Sequence, residues 1–309
     1  MSDTLTVVIC TRDRADSLQA TLDALAAQTH GDFTTLVVDQ SPETDEALAR
    51  RAAEDTRLSV MRDAGRGLSR ARNLALAAAS ADWLVFLDDD CVPEPGWAAG
   101  LAAAFGAAPR IEFVTGHVGP GPRPAAGLPQ YSVFAVDEPR TVSGRRAWPH
   151  DIGFGVCFAV RRETAMRLGG WDERLGPGVS AFPASDDMDF NFRFLRAGGA
   201  AHLTPSARAT HEQWRSDDEL VRLFAGYMAS WAGFSVKHVR VTGITAGLRL
   251  WSYGLGDTVR MFLSAARHVS GLRLRIALAK ARGLARGTVA GVRVDWRRTA
   301  TSLASHDAD

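Results

Sequence analysis

Three successive acids, Asp88, Asp89 and Asp90, follow an apolar run in VFLDDDCVPEPGW, residues 85–97. Neighbouring carboxylates repel one another and are costly to bury unpaired, so a divalent cation or a cationic ligand explains their position better than a solvated acidic turn does. Carboxylate oxygens suit Mg²⁺ or Mn²⁺, and these ions keep coordination positions for phosphate oxygens. The run therefore predicts a metal and phosphate site.

A second acidic group, Asp186, Asp187 and Asp189, opens the helical pattern SDDMDFNFRFLRAG at residues 185–198. At a helix N-terminus the unpaired backbone N–H groups and the helix dipole stabilise a carboxylate, so we expect Asp187 to stay ionised and to accept a proton. The alternative is that the three acids only cap the helix, although a single residue would suffice for that.

The elements that must position these acids alternate along the first 110 residues. Short apolar and β-branched runs predict strands at Leu5–Cys10, Thr35–Asp39, Leu58–Arg62 and Trp83–Leu87. Helical periodicity predicts helices at Ser17–Gln28, Glu43–Asp55, Leu68–Ala79 and Trp97–Phe105. This order is typical of βαβ units, so we expect an α/β fold with a mostly parallel sheet and flanking helices.

In an open parallel sheet the ligand lies beyond the carboxyl ends of the strands. The residues there are Thr11-Arg12-Asp13-Arg14 after the first strand, Asp39-Gln40-Ser41 after the second and the acid triplet after the fourth. These carboxylates and arginines predict a charged ligand bound with a metal. Asp39 alone fits a helix cap and a ligand contact equally well, since Asp is common where a strand turns into a helix.

Seven segments of the chain together carry a resemblance that no single one of them would establish. They are VVICTRDR, VVDQS, GRGLSRARN, FLDDDCVPEPGW, GVCFAVRRE, GGWDERLG and SDDMDFNFRFLRAG. In this order and spacing they resemble the family 2 inverting glycosyltransferases with the Rossmann-like GT-A fold, over residues 5–215. The resemblance implies an enzyme that moves a sugar from a UDP-, GDP- or dTDP-sugar to an acceptor hydroxyl, with Mg²⁺ or Mn²⁺ as cofactor.

The resemblance also implies roles for individual residues. Nucleotide-sugar binding falls to Thr11, Arg12, Arg14, Asp39, Arg72, Asp88 and Asp89, and metal binding to Asp88 and Asp90. Asp187 matches the general base, which deprotonates the acceptor in a reaction without a covalent enzyme intermediate, and Asp186 lies beside it. Ser185 and Asp186 stand where the family usually has Gly and Glu, so the charge is kept although the letters differ.

Two further residues each have two interpretations. His211, in ATHEQWRS after the last predicted strand, either completes the metal site or contacts the diphosphate, or else is structural. Trp171, in GGWDE, either stacks on an acceptor sugar or packs the loop. We include His211 among the metal ligands and Trp171 among the acceptor-binding residues.

The remaining pattern divides the chain into regions. Residues 119–150 hold six of the thirteen prolines, which predicts a long loop around an edge strand at Tyr131–Val136. Next come a strand at Gly155–Arg161, a short helix from Glu163, a helix at Asp186–Ala197, a strand at Ala201–Thr204 and a wholly helical pattern from Asp217. We predict a catalytic domain at 1–215 with a nucleotide-sugar half (about 1–118) and an acceptor half (about 119–215). A basic helical region at 216–298 and a disordered tail at 299–309 follow.

The basic region has an unusual charge balance. Residues 220–298 contain fourteen Arg or Lys against Asp257 and Asp295, whereas residues 1–219 carry a net charge of −9. Helices with arginines on one side and Leu, Phe or Trp on the other can lie on an anionic membrane beside a lipid-linked acceptor. The favoured alternative is that the helices pack on the acidic body or on a second subunit of a homo-oligomer. The acceptor itself is either lipid-linked or a small-molecule glycoside. Packing is favoured because four glycines interrupt any long amphipathic face: Gly271, Gly283, Gly287 and Gly291.

Other features narrow the location and the partners. Asp3 stands where a secretory signal has its basic region, so we expect a cytoplasmic protein, peripheral to the inner face of the membrane if the basic helices bind lipid. The uncharged stretch Leu223–Val236 has fourteen residues, short of the roughly 20 that cross a bilayer. Cys10, Cys91 and Cys157 fit no disulfide framework or zinc motif. Nucleic acid is not expected, since no binding motif accompanies the charge.

Two rival functions belong to other classes. A sugar-phosphate nucleotidyltransferase normally has a Gly-rich phosphate loop after its first strand, and CTRDRADS contains no glycine. A non-catalytic sugar-nucleotide-binding subunit would not need both acidic groups, which are intact at residues 88–90 and 186–187.

Overall fold

One mixed sheet carries the acid triplet at the end of a central strand. The computed structural model describes residues 4–106, 111–121, 133–212 and 215–298. In these residues the strands are β1 (Leu5–Thr11), β2 (Thr34–Asp39), β3 (Leu58–Arg62), β4 (Trp83–Leu87), β5 (Cys91–Pro93), β6 (Phe113–Pro120), β7 (Arg140–Ser143), β8 (Cys157–Arg161) and β9 (Ala200–His211). The helices are α1 (Ala15–Ala26), α2 (Glu46–Glu54), α3 (Leu68–Ala78), α4 (Trp97–Phe105), α5 (Arg162–Arg167), α6 (Asp186–Arg196), α7 (Asp217–Val241), α8 (Ile244–Arg267) and α9 (Gly271–Arg293).

The first four strands form the parallel half of the sheet, in the order β3-β2-β1-β4. Val7, Val37 and Val85 are fully buried, because α1 and α2 cover one face of the sheet and α3 covers the other. Burial on both faces explains why these strands are almost continuously apolar. The predicted elements of the first 110 residues are confirmed, with ends that differ by no more than three residues.

The second half of the sheet differs from the expectation of a mostly parallel arrangement. The strand β8 is antiparallel to β4 and β6, and both β5 and β7 are antiparallel to β9. Neither β5 nor β6 was predicted, and β7 lies inside the predicted loop at 119–150. Tyr131 of the predicted edge strand lies outside the described residues, while Phe134 forms a single bridge with Val118.

The strand β9 extends seven residues beyond the predicted end at Thr204. Pro205 breaks the apolar pattern there, and the pairing with β6 shifts register between Thr115 and His117. Proline removes a ladder hydrogen bond and is typical of such irregularities. The prediction that the strand ends near Thr204 was therefore wrong, and His211 is its last residue.

The three C-terminal helices pack on one another and on α6. Met228, Trp231 and Phe234 of α7 form a buried cluster with Met188 and Phe192 of α6, and Leu250 of α8 and Leu284 of α9 join it. The helix α7 begins with a capping box between Ser216 and Glu219, which satisfies its first N–H groups. The helical pattern predicted from Asp217 is confirmed, and it supplies a wall beside α6.

Three glycines of α9 lie against α7. An added Cβ would lie 2.4 Å from the Ala225 backbone oxygen at Gly283 and 2.0 Å from the Ala229 backbone oxygen at Gly287. Gly291 likewise lies close to Gly233. Glycine at this spacing allows the two helix backbones to approach closely. The helix α9 is continuous through these glycines, because close packing on α7 offsets their low helix propensity.

A buried ionic cluster also ties α6 to α7. The carboxylate of Asp189 is fully buried and accepts hydrogen bonds from Arg193 Nε at 2.8 Å and His238 Nε2 at 2.9 Å, while Lys237 Nζ lies 2.6 Å away. Lys237 Nζ also lies 2.8 Å from Asp172. Burial alone would raise the pKa of Asp189, but Lys237, Arg193 and His238 outweigh burial and hold it well below its usual range.

Other sequence expectations concern membrane crossing, the cysteines and the C-terminal tail. Among the described residues, no helix combines the length and the hydropathy that crossing a membrane requires. Cys91 and Cys157 are buried free thiols and Cys10 is half-buried. The predicted disordered tail at 299–309 lies outside the described residues.

Candidate functional site

The carboxyl ends of β1, β2 and β4 open into one cavity of about 780 Å³. This volume is within the range of pockets that bind organic ligands. The predicted site residues that line it are Thr11, Arg12, Arg14, Arg72, Asp88, Asp89, Asp186, Asp187 and His211. Both predicted acidic groups therefore face the same space.

The acid triplet is held by the loop that follows β1. Asp89 accepts hydrogen bonds from Thr11 Oγ1 at 2.7 Å and Arg14 Nη1 at 2.9 Å. The same Arg14 nitrogen donates to Asp90 Oδ2 at 3.0 Å. Burial raises the pKa of Asp88 to about 7 against the opposing charge of Arg72, and burial also raises the pKa of Asp89, where Arg14 and Thr11 oppose the rise. The three successive acids thus have three environments.

Asp90 and His211 form a pair that could hold a metal ion. The imidazole Nε2 of His211 lies 3.0 Å from Asp90 Oδ1, because Cys91 pairs with His211 in the β5–β9 ladder. The Cys91 thiol is close enough to join them, but burial raises its pKa well above the usual range and keeps it protonated. The remaining carboxylate and imidazole donors fit a divalent ion such as Mn²⁺ better than a thiolate-bound metal.

Arg72 connects the two acidic groups. Its Nη1 atom donates to Asp186 Oδ2 at 2.6 Å, and its Nη2 atom lies 3.8 Å from Asp88 Oδ1. The guanidinium is buried beside the ring of Phe158, 5.6 Å from its centroid. Burial raises the pKa of Asp186 to about 6, while Arg72 opposes that rise. The Asp186 carboxylate is therefore engaged in an ion pair with Arg72.

Asp187 is fixed by two backbone groups and borders the cavity. Its Oδ2 accepts from the Gly155 N–H at 2.8 Å and its Oδ1 from the Met188 N–H at 2.7 Å. Burial raises the pKa of Asp187 more than these hydrogen bonds lower it. The predicted stabilisation of the carboxylate by the helix N-terminus is therefore not the dominant effect. Ser185, at φ +68°, holds the left-handed conformation that favours the glycine usual in the family.

Three predicted site residues, Asp39, Asp90 and Trp171, are not among the residues that line the cavity. Trp171 is fully buried and stacks on Phe190 at 4.5 Å between ring centroids, so it packs the core and is not an acceptor contact. Asp39 is also buried, where it accepts from the Ser41 N–H at 2.8 Å and pairs with Arg62. Its neighbour Gln40 lines the cavity instead.

The far end of the cavity is built from residues that the sequence did not single out for binding. They are His150, Phe154, Tyr227, Trp231, Tyr253 and Asp257. Tyr227 and Trp231 are four residues apart on α7, as are Tyr253 and Asp257 on α8. That spacing places each pair on one helix face. It was a signal available in the sequence, but it is equally typical of core packing.

Comparison with known sequences gives one family and several relatives. Residues 6–169 match the family described as glycosyl transferase family 2. A pre-mycofactocin glycosyltransferase of Mycobacterium tuberculosis is 29% identical over 182 residues, which cover 56% of this chain and 36% of the relative. An uncharacterized glycosyltransferase of Haemophilus influenzae is 24% identical, with 62% of each chain covered. A PGL/p-HBAD biosynthesis glycosyltransferase of Mycobacterium bovis is 36% identical over 119 residues, which cover 36% of this chain and 45% of the relative. The matches thus span less than two thirds of these relatives.

Two solved structures share the fold. The mannosyltransferase PcManGT from Pyrobaculum calidifontis, in complex with GDP-Man and Mn²⁺, aligns with a TM-score of 0.61 and 17% identity, covering 95% of this chain and 88% of that one. GalNAc-T7 with UDP, GalNAc and Mn²⁺ aligns with a TM-score of 0.53 and 17% identity, covering 69% of this chain and 44% of that one. These alignments confirm the predicted GT-A fold.

Proposed function

Because the chain belongs to glycosyl transferase family 2, we propose that it transfers a sugar from a nucleoside diphosphate sugar to an acceptor hydroxyl, with inversion at the anomeric carbon. The observation that carries this proposal is one cavity lined by Asp88 and Asp89 of the acid triplet and by Asp187. The complexes of PcManGT with GDP-Man and of GalNAc-T7 with UDP support the donor class. A thermal-shift panel of UDP-, GDP- and dTDP-sugars identifies the nucleobase and the sugar of the donor, because a ligand that binds the native state raises Tm.

The donor would bind at the end of the cavity formed by β1 and β4. Arg12 and Arg14 supply positive charge there, and Thr11 orders the Asp89 carboxylate through its hydroxyl. Asp88 and Asp90, with His211, are the groups that would hold Mn²⁺ or Mg²⁺. A bound divalent ion neutralises negative charge on a leaving diphosphate. The two neighbours that contain Mn²⁺ support this assignment.

Asp187 is the proposed general base. Each of its carboxylate oxygens accepts one backbone hydrogen bond and keeps a further lone pair for the acceptor hydroxyl proton. A pKa raised by burial makes it a stronger proton acceptor than an exposed aspartate. Asp186 is less suited to this role because Arg72 already binds it at 2.6 Å.

We expect nucleoside diphosphate binding to depend on a divalent ion held mainly by Asp90. Calorimetry with GDP and UDP should show much weaker binding in EDTA than in Mn²⁺, and Asp90→Asn should remove that difference. Asp16→Asn, which changes an exposed acid in the first turn of α1, is the control. Equal affinity of the native protein in EDTA and Mn²⁺ would rule out the metal role.

The outer faces of α8 and α9 suggest a peripheral membrane location. Their exposed apolar side chains are Ile244, Leu248, Leu255, Val259 and Leu263 on α8, and Leu274, Leu278, Val289 and Val292 on α9. Exposed arginines run along the same helices at positions 260, 267, 275, 282, 286 and 293. The inner faces of α8 and α9 pack on α7, and that packing leaves these outer residues exposed. An anionic bilayer offers both the charge and the apolar phase that they match.

We expect the protein to co-sediment with vesicles that contain phosphatidylglycerol and to be released as the salt concentration rises. Vesicles of phosphatidylcholine alone are the control for charge. The double substitution Leu255→Ser and Leu263→Ser should weaken binding, because it removes apolar surface from the outer face of α8. If the protein stays in the supernatant at low salt, the membrane role is excluded and only the packing role of α8 and α9 is left.

A further inference from the structure

Much of the far end of the cavity comes from helices that follow the part of the chain covered by the family match. Tyr227 and Trp231 of α7 and Tyr253 of α8 come after residue 169, where that match ends. They share the cavity with Asp187, so a molecule bound against them lies in the same space as the proposed base. None of these aromatic residues is among the donor-binding residues named above.

The aromatic rings there form one packed wall. The Tyr253 ring centroid lies 5.1 Å from that of Trp231 and 5.1 Å from that of His150. Trp148 supports Tyr253 from outside the cavity, at 4.8 Å between centroids. The Trp231 indole is held in place by a hydrogen bond of 2.7 Å to the Leu250 carbonyl. The wall is therefore preorganised, which lowers the entropic cost of binding a ligand.

Two polar groups in this wall have no hydrogen-bond partner among residues 4–106, 111–121, 133–212 and 215–298. They are the Tyr253 hydroxyl and the imidazole of His150, whose Nε2 lies 4.0 Å from the nearest carboxylate, on Asp151. Both side chains are half-buried, and burial lowers the pKa of His150, which keeps the imidazole neutral. Half-buried polar groups without partners are positioned to bind polar atoms of a ligand.

Resting on the proposed function, we infer that this end is the acceptor subsite and that it binds a pyranose ring, so that the acceptor is a glycoside. The apolar C–H face of a sugar ring fits against Tyr253 and Trp231, and its hydroxyls can bond to the Tyr253 hydroxyl and to His150. An alkyl chain would leave both polar groups unsatisfied. An anionic ligand is disfavoured because Asp257 also lines this end of the cavity. Lys280 Nζ lies 2.5 Å from Asp257 Oδ2 and balances part of that charge.

The test measures sugar binding to the protein saturated with Mn²⁺ and GDP or UDP. Saturation-transfer NMR with methyl β-D-glucopyranoside and methyl α-D-mannopyranoside should give a signal for at least one of them, whereas the open-chain polyol sorbitol should give none. Tyr253→Ala should weaken pyranoside binding about tenfold, and Tyr253→Phe should weaken it less because the ring is kept. Ser252→Ala, on the same helix but outside the cavity lining, should leave pyranoside binding unchanged.

The outcomes separate this inference from the proposed function. Calorimetry of nucleotide binding checks that each variant is folded, and it tests the proposed function independently of the sugar. If nucleotide binds but neither pyranoside does, or if Tyr253→Ala leaves pyranoside binding unchanged, the inference is overturned while the donor assignment stands. If phenol or 1-hexanol binds in a Tyr253-dependent way and the pyranosides do not, the acceptor is of another chemical class. If neither nucleotide binds, the proposed function itself fails.

Discussion

Asp187→Asn is expected to lower turnover by about 10²- to 10⁴-fold while nucleoside diphosphate affinity stays nearly unchanged. The amide cannot take a proton from an acceptor hydroxyl, whereas the donor end of the cavity is formed by other residues. Release of nucleoside diphosphate in the presence of an acceptor gives the rate, and calorimetry with GDP and UDP gives the affinity. Loss of the rate without loss of affinity assigns Asp187 to the chemical step.

A second variant decides between the two adjacent acids. Asp186→Asn is expected to weaken the contact with Arg72 and to lower the thermal stability, since both partners are buried. Wild-type turnover in Asp187→Asn would exclude it as the base and leave Asp186 as the candidate. Loss of nucleotide affinity together with turnover in Asp187→Asn would instead indicate a structural role.

Asp189→Ala is expected to lower the free energy of unfolding by about 3 kcal/mol, at the lower end of the range for breaking a buried ion pair. The substitution removes the shared carboxylate of Arg193, Lys237 and His238. The loss is limited because Lys237 keeps its contact with Asp172. Urea unfolding followed by circular dichroism measures the change through the shift in midpoint.

The control uses the same residue type in an exposed ion pair. Asp218 of α7 pairs with Arg275 of α9, and both side chains are more than half exposed to solvent. Exposed pairs contribute little to stability, so Asp218→Ala should leave the urea midpoint unchanged within error. Equal destabilisation by the two substitutions would mean that burial of the Asp189 cluster is not what stabilises the contact between α6 and α7.

The parallel half of the fold could be predicted from the sequence because burial on both faces leaves long apolar runs such as Trp83–Leu87. The antiparallel half could not, for a physical reason visible in two strands. The exposed edge strand β7 has no buried residue, and β9 is interrupted by Pro205 and a register shift. The strand β7 therefore lacks the alternation that marks a strand, and in β9 the alternation of buried and more exposed residues is split into two short stretches around Pro205.

The two acidic groups of the site were predictable from the sequence, because residues 88–90 follow the end of a strand and residues 186–189 begin a helix. What the sequence could not show is how their partners differ. Asp186 pairs with Arg72 from α3, whereas Asp187 meets the Gly155 backbone, and both contacts join segments far apart along the chain. The aromatic wall was missed for the opposite reason: Tyr227 and Trp231 have the spacing of core residues, and only the position of α8 shows that they border a cavity.

The glycine face of α9 has a consequence for other sequences of this kind. Because Gly283 and Gly287 leave no room for a larger side chain against α7, any substitution there would push α7, and with it Tyr227 and Trp231, relative to the sheet. Glycines at these two positions are thus a signature that can be sought in a chain before its structure is known. A chain that keeps them should share the shape of this cavity wall even where its wall residues differ, whereas a chain with bulky residues there should have remodelled it.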